Sequence, residues 1–114
     1  MIEYRSDLSD IFGALASDTR RAIVGRLLQG EARVTDVAAP FDISLAAISK
    51  HVIVLERAGL VRRRVEGRTH WLGLEPRPLL EAEAWIERSR SFWSGRLDAL
   101  ESLLSGDTDA AVRR

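Results

Sequence analysis

The chain lacks cysteine, and it has only two histidines, His51 and His70, among 114 residues. These shortages exclude disulfides, thiolate metal sites, cysteine nucleophiles and a catalytic zinc site with three histidine ligands. No apolar run approaches the roughly 20 residues that span a bilayer. The first ten residues carry acids where a secretory signal needs basic and then apolar residues. We therefore expect a cytoplasmic protein with no metal, no cofactor and no membrane partner.

The residues that are present describe a globular protein. Hydrophobic residues make up 46% of the chain and charged residues 30%, a balance typical of a folded domain. The length is that of one average domain. We predict a single domain over residues 1–106, followed by a disordered tail over 107–114, where the sequence becomes small, polar and charged.

The net charge of zero hides an uneven distribution along the chain. Residues 1–43 carry five Lys/Arg and seven Asp/Glu, which gives −2, and residues 75–114 carry six and eight, which also gives −2. Residues 44–74 carry six Lys/Arg and two Asp/Glu, which gives +4. A basic block between acidic flanks indicates a polyanionic partner for the middle of the chain.

Helical periodicity dominates the first half of the sequence. Leu8, Ile11, Phe12 and Leu15 fall on one apolar helical stripe, and Ser17 begins a cluster that caps a second helix ending before Gly30. A short strand is indicated near Val34, and Thr35 is predicted to cap a brief third helix.

A longer helix follows after a tight turn. Ser44 is a good N-cap for a helix over residues 45–58, and Ile48, Val52 and Leu55 predict its buried face. A short helix, a turn of about three residues and a longer helix together form a helix-turn-helix in outline.

Two short β-prone runs come next and predict a basic hairpin. Glu66 and Gly67 are predicted to form a two-residue turn, which would pair Arg64 with Thr69 and Arg62 with Trp71. Trp71 then either joins the core or stacks on Arg62. Pro76 and Pro78 are expected to separate this hairpin from the last helix.

The last helix is predicted over residues 79–104 and carries a long apolar stripe. At 1.5 Å per residue it would be about 39 Å long, which is more than so small a domain can cover. A second copy of the chain would cover it, so we predict a dimer interface at Leu8, Phe12, Trp85, Phe92, Trp93, Leu97, Leu100 and Leu104.

These elements predict a mostly α fold with a small β-hairpin wing, a winged helix-turn-helix that dimerises through its terminal helices. Such an arrangement suits duplex DNA, because a helix fits the major groove and a basic wing can follow phosphates or enter the minor groove. A dimer presents two reading heads one helical turn apart.

Three runs of the sequence carry a family resemblance: LASDTRRAIVGRLLQGEARVTDVA, ISLAAISKHVIVLERAGLV and EGRTHWLGL. They resemble the arsenic-repressor (ArsR-type) family of bacterial winged-helix regulators, and the resemblance covers about residues 8–104. It implies a homodimeric repressor that binds an inverted-repeat operator in double-stranded DNA. The metal-sensing members carry cysteines near the third helix, or histidines and acids on the last helix. This chain has neither cysteine nor a histidine in those places, which indicates a member that does not sense metals.

The predicted DNA contacts lie on the reading helix and the wing. They are Ser44, Ala46, Ala47, Ser49, Lys50, His51, Arg64 and Arg68. The two alanines have no polar side-chain atoms, so they can contact only thymine methyl groups or permit close approach.

Other functions and an additional ligand were also considered. A winged-helix module that binds protein would leave the basic hairpin solvated. A small-molecule effector of unknown identity would occupy a gap between Trp85 and Trp93. An enzyme is not expected, because no nucleophile–base pair, phosphate-cradling glycine loop or metal cluster is present in the sequence.

Overall fold

The computed structural model describes residues 2–106, with side chains described from Leu8 onward. The predicted tail over 107–114 lies outside the described residues. The elements in chain order are α1 (Ile2–Ala14), α2 (Asp18–Leu27), β1 (Ala32–Arg33), α3 (Val34–Ala38), α4 (Leu45–Arg57), β2 (Val61–Glu66), β3 (Thr69–Leu74) and α5 (Pro76–Glu101), followed by a π-helical turn (Ser102–Gly106). The chain divides into two compact units between Ala82 and Glu83.

Polar caps set the starts of two helices in the first unit, as the sequence predicts. The Ser17 hydroxyl accepts a hydrogen bond from the Arg20 backbone N–H at 3.3 Å. The Ser44 hydroxyl accepts one from the Ala47 backbone N–H at 3.1 Å. Each cap satisfies a donor that has no partner inside the helix, so the start of α4 is fixed relative to the turn before it.

One apolar core holds the first unit together. The predicted inward residues of α4, Ile48, Val52 and Leu55, are fully buried. Around them pack buried side chains from every other part of this unit: Ile11, Ala14, Ile23, Val24, Leu27, Ala32, Val37, Leu60, Val61, Leu72 and Ala82. The buried inward face leaves the opposite face of α4 exposed.

The sheet has three antiparallel strands in the order β1-β3-β2. The β2–β3 hairpin is the predicted wing, and β1 adds Ala32 opposite Leu72 and Arg33 opposite Trp71. This confirms the winged helix-turn-helix fold, with a short third strand beside the hairpin. The sequence indicated a short strand near Val34. In the structure this strand ends at Arg33, and Val34 is the first residue of α3.

The predicted register of the hairpin is wrong by two residues. Glu66 pairs with Thr69, so the turn consists of Gly67 and Arg68, and Arg64 lies opposite Trp71. Gly67 has φ +64°, and no other residue of the turn has positive φ. A two-residue turn whose first residue is glycine fits type II′. A turn over Glu66 and Gly67 would require Glu66 to adopt a positive φ, which is unfavourable for a residue with a side chain.

Two helix starts also differ from their predictions. Thr35 does not cap α3: the N-cap position is Arg33, with no side-chain capping bond, and Arg33 instead bonds Asp36 in the first turn. Pro76 begins α5 rather than separating it from the hairpin. Proline suits the first turn because its ring presets φ and the N–H it lacks would have no partner there.

The second unit contains α5 from Glu83 onward. The large apolar side chains of this unit are exposed in the described chain. They are Trp85, Ile86, Phe92, Trp93, Leu97 and Leu100 on α5, and Leu103 and Leu104 in the π-helical turn. Phe92 and Trp93 meet edge to face with ring centroids 5.4 Å apart, and the Arg96 guanidinium lies 4.4 Å from the Phe92 centroid.

Candidate nucleic-acid interface

The outward face of α4 is a stripe of five residues, which we call the reading stripe: Ala46, Ser49, Lys50, Ile53 and Arg57. Their spacing of i, i+3, i+4, i+7 and i+11 places them on one helical face. Ser49 is half-buried and the other four are exposed. The stripe is therefore the part of α4 that can enter a groove of DNA without displacing the core.

The predicted contacts at the start of α4 are divided between the stripe and its flanks. Ala46, Ser49 and Lys50 lie on the stripe. Ala47 is half-buried beside it, and Ser44 precedes the helix with its hydroxyl occupied as the cap.

Two members of the reading stripe were not selected by the sequence analysis. They are Ile53 and Arg57, and both are exposed on the same face as Lys50. The helical spacing that continues from Ala46 and Lys50 is the signal that could have found them.

His51 lies on the flank of α4 that faces α2. Its Nδ1 accepts a hydrogen bond from Arg20 Nη1 at 3.1 Å, since a guanidinium can only donate. In this neutral tautomer the proton is on Nε2. Arg20 also donates to the carbonyls of Ala14 and Gly13 at 2.6 and 3.2 Å, so it links the end of α1 to α4.

The sequence alone assigns no role to Arg20. Arg20 connects α1 to α4 through its hydrogen bond to His51, which lies 31 residues further along the chain. No local sequence pattern indicates such a contact.

Three of the four wing arginines are paired with carboxylates. Arg62 meets Glu75 at 3.4 Å, and its guanidinium lies across Gly73, where a Cβ would come within 3.4 Å of it. Arg63 binds Glu56 of α4 with two bonds, of 3.0 and 2.8 Å. These bonds tie the base of the wing to the reading helix, and they raise the pKa of the Arg63 guanidinium.

Arg64 is the third paired arginine. It bonds Glu31 at 2.8 Å, meets Glu66 at 3.3 Å, and lies 5.5 Å from the centroid of the Trp71 ring. Arg64, not the predicted Arg62, therefore stacks on Trp71, because the observed register places these two side chains directly opposite. The hydrogen bond from Arg64 holds the pKa of Glu31 below its ordinary value, so the pair stays charged.

Arg68 at the wing tip has no acidic partner within the described residues. The same holds, in that part of the chain, for Lys50 and Arg57 on the reading stripe. The basic block of the sequence thus resolves into two groups of cations. Arg62, Arg63 and Arg64 are largely neutralised by neighbours, while Lys50, Arg57 and Arg68 remain uncompensated and available to an anion.

Arg68 and one member of the reading stripe, Ser49, border an open groove of about 360 Å³. We call it the wing groove; it is lined by Arg33, Val34, Thr35, Leu45, Ser49, Arg63, Arg68, Thr69 and His70. His70 Nδ1 accepts from Arg63 Nη1 at 3.0 Å, which leaves Nε2 as its N–H donor. The groove therefore has hydroxyl, imidazole and guanidinium donors, a set that suits a sugar–phosphate backbone.

Arg33 contributes less positive charge to the wing groove than its position implies. It bonds Asp36 at 2.9 and 3.1 Å, which raises the pKa of Arg33 and lowers the pKa of Asp36.

Among the described residues, no group of three or more His, Asp or Glu side chains has a metal-binding arrangement. None of the helices within residues 2–106 has the length and hydrophobicity of a membrane-spanning segment.

Comparison with known proteins identifies this arrangement. Residues 15–64 match the family described as a helix-turn-helix domain. HTH-type transcriptional regulator Rv2034 of Mycobacterium tuberculosis is 35% identical over 109 residues, which cover 96% of this chain and 98% of that protein. The crystal structure of the ArsR family transcriptional regulator RHA00566 is 40% identical with a TM-score of 0.73, over 77% of this chain and 97% of that one. The chain belongs to the ArsR family.

This ArsR-family chain is a DNA-binding transcriptional regulator, as the resemblance implied, and its family is one of regulators rather than enzymes. A further solved structure bears on its assembly. The homodimeric winged helix-turn-helix DNA-binding domain of a Mycobacterium bovis protein, fragment 1–100, is 25% identical with a TM-score of 0.64. The match covers 80% of this chain and 86% of that one.

The Glu31–Arg64 pair leads to a prediction about charge at the wing. The substitution Glu31→Gln removes the carboxylate and frees Arg64 for a phosphate. Binding to any duplex should strengthen, and the slope of log affinity on log salt should become more negative by about one unit per phosphate neutralised. Asp18→Asn is the control: it also removes a carboxylate from an ion pair with an arginine, Arg21 of α2, and it should change neither quantity. An unchanged slope for Glu31→Gln would show that Arg64 does not reach DNA even when released.

Proposed function

We propose that this ArsR-family chain is a homodimeric repressor that binds an inverted-repeat operator in duplex DNA. The observation that carries this proposal is the coincidence of three uncompensated cations with the reading stripe and the wing groove. Lys50 and Arg57 lie on the stripe and Arg68 lies at the groove, while the neighbouring arginines are paired with acids. Cations left unpaired beside a protruding helix fit the spaced phosphates of a duplex.

The reading stripe is placed to enter the major groove. It protrudes from α4 opposite the core, and its cap fixes the start of the helix at Ser44. In this arrangement Ala46 and Ser49 approach the base edges and Lys50 contacts a base or a phosphate. The wing groove receives the adjoining backbone, where Arg68 supplies charge and His70 supplies its Nε2–H.

His51 and Arg64 have different roles from the other predicted contacts in this proposal. His51, held by Arg20, presents its Nε2–H to a phosphate at the flank of α4. Arg64 contributes to DNA binding only when it leaves Glu31 and binds a phosphate. The free energy of the Arg64–Glu31 ion pair is then lost. Ala47 permits close approach of the helix, and Ser44 acts through its cap.

The dimer forms through α5. Trp93, Leu97 and Leu100 follow one another in steps of four and three residues, the spacing of the seam between two packed helices. Leu104 comes four residues later, in the π-helical turn after α5. Contiguous exposed side chains of this size are typical of an interface. The homodimeric relative supports the same assembly. Trp85 and Phe92 extend the interface on α5. Leu8 and Phe12 of α1, both half-buried, stay predicted members of the interface.

The proposed binding to an operator in duplex DNA leads to expectations about the mode of regulation and the place of action. Repression results when the bound dimer occupies DNA that the transcription machinery needs, and the site of action is the cytoplasm, where bacterial DNA lies. A small-molecule effector between Trp85 and Trp93 stays a prediction.

Selection of bound sequences from a random duplex pool tests the proposal. The enriched sequences should contain an inverted repeat whose half-site centres lie about 34–36 Å apart, or a multiple of that spacing. Failure to enrich any sequence, with retention of a folded dimer, would favour the protein-binding alternative.

The two wing arginines differ in their expected contributions. Arg68→Ala should weaken operator and scrambled duplexes by similar factors, and the salt slope should become less negative by about two units per dimer, one per protomer. Arg64→Ala should change both quantities less, since Arg64 is already paired with Glu31. Equilibrium binding at several salt concentrations measures both variants, and a larger loss for Arg64→Ala would reverse the assignment of the uncompensated cation.

A further inference from the structure

The reading stripe contains an exposed aliphatic side chain that the fold does not require. Ile53 is 40% exposed, and Ala46, two turns earlier, is exposed on the same face. Leu45, which is 50% exposed, borders the stripe at the wing groove. Ile53 and Leu45 therefore hold apolar surface in water in the middle of the proposed DNA-binding face.

The hydrogen-bonding capacity of the stripe is small. The helix α4 contains neither asparagine nor glutamine, the residues that recognise adenine with paired bonds. Ser49, Lys50 and Arg57 are the polar members of the stripe, and the two cations are also the groups that suit phosphates. Most of the face that would meet base edges is therefore hydrocarbon.

The major groove offers one apolar group, the C5-methyl of thymine. Resting on the DNA-binding function proposed above, we infer that α4 reads thymine methyl groups with Ala46 and Ile53, and that Leu45 covers a further methyl at the wing side. Burial of a methyl against Ile53 removes both apolar surfaces from water, so the interaction favours thymine over every base that lacks the methyl.

The spacing of the two residues limits the spacing of the thymines. Seven residues separate Ala46 from Ile53, which is about 10 Å along the helix axis. Two methyl groups that contact these side chains should therefore lie within a few base pairs of each other in each operator half-site.

The test uses three versions of the duplex enriched by selection. One contains thymine, one contains uracil at the same positions, and one contains 5-bromouracil, whose bromine replaces the methyl with an apolar atom of similar size. The uracil duplex should bind about fourfold more weakly for each buried methyl group removed, since one such methyl corresponds to about 0.8 kcal/mol. The bromouracil duplex should regain the affinity of the thymine duplex.

Two neighbouring residues provide a matched pair of variants. Ile53→Ala should abolish the preference for thymine over uracil at one position of each half-site. Val54→Ala should keep that preference, because Val54 lies off the stripe, beside Gly13 and Ala14 of α1. Both variants must show the unfolding transition of a native protein before their affinities are compared.

The outcomes separate this inference from the function on which it rests. Equal binding of the thymine and uracil duplexes, with sequence preference and salt slope intact, would overturn methyl reading and leave the DNA-binding function in place. Loss of the preference in Val54→Ala as well as in Ile53→Ala would also overturn it, since the effect would then come from α4 as a whole. No binding to any duplex would overturn both proposals.

Discussion

Trp93→Glu combined with Leu97→Glu is expected to convert the dimer into monomers and to weaken operator binding by about two to four orders of magnitude. The loss is large because, in a dimer, binding of one protomer to its half-site holds the other protomer at a high effective concentration near the second half-site. A monomer lacks this gain in affinity. Each glutamate would place a charge in the proposed seam of α5, where a second copy would bury apolar surface. Sedimentation measures the assembly, and titration of the operator duplex measures the affinity.

The control for this experiment carries the same added charge on the other side of the helix. Ala84→Glu with Ser91→Glu also adds two acids to α5, at residues roughly opposite Trp93. This variant should remain dimeric and should bind the operator nearly as the parent does. A monomeric or weakly binding control would show that charge on α5, rather than disruption of the seam, causes the effect.

Ala46→Asp is expected to weaken operator binding by more than any other single substitution on α4. The new carboxylate would lie at the first turn of the reading stripe, close to base edges and phosphates. Disruption of one base-pair contact costs about 1–3 kcal/mol, so the two half-sites together should lose about 2–6 kcal/mol of binding free energy. Competition titration against scrambled duplex measures the specific part of this loss.

Ala22→Asp is the matched control for that substitution. Ala22 is an exposed residue of α2, so the variant adds the same charge to a helix in the same unit. It should leave the ratio of specific to non-specific affinity unchanged. If Ala46→Asp retained the affinity and preference of the parent, α4 would not be the reading helix.

The sequence predicted the core and two of the helix starts because both depend on local patterns. Ile48, Val52 and Leu55 share one helical face, and Ser17 and Ser44 bond to backbone groups three residues ahead. These features need no knowledge of the rest of the chain. The winged helix-turn-helix followed from them once the basic hairpin was added.

The wing was harder to predict because two of its determinants are not local. A one-residue change in the placement of Gly67 within the turn moved every strand pair by two. The shorter ion pair of Arg64 is with Glu31, 33 residues away, so no local pattern in the sequence indicates this pair. Arg68, next to Glu66 and Gly67 in sequence, is the wing arginine left without an acid in the described chain.

The exposure of Ile53 was missed for a different reason. The predicted inward face, Ile48, Val52 and Leu55, already places Ile53 on the opposite side of α4, in step with Ala46 and Lys50. Only the polar and small residues of that side were considered as DNA contacts from the sequence. In the structure Val52 is buried and Ile53 is exposed, so the burial pattern shows the whole reading stripe.

The salt dependence of binding to the selected operator duplex tests the central claim most directly. Lys50, Arg57 and Arg68 supply three uncompensated cations in each protomer, so a dimer that neutralises six phosphates should show a slope of about −5 for log affinity on log salt. A scrambled duplex should show a similar slope with lower affinity at every salt concentration. A slope near zero, or equal affinities for the two duplexes, would contradict a dimer that holds phosphates with these cations and reads sequence with α4.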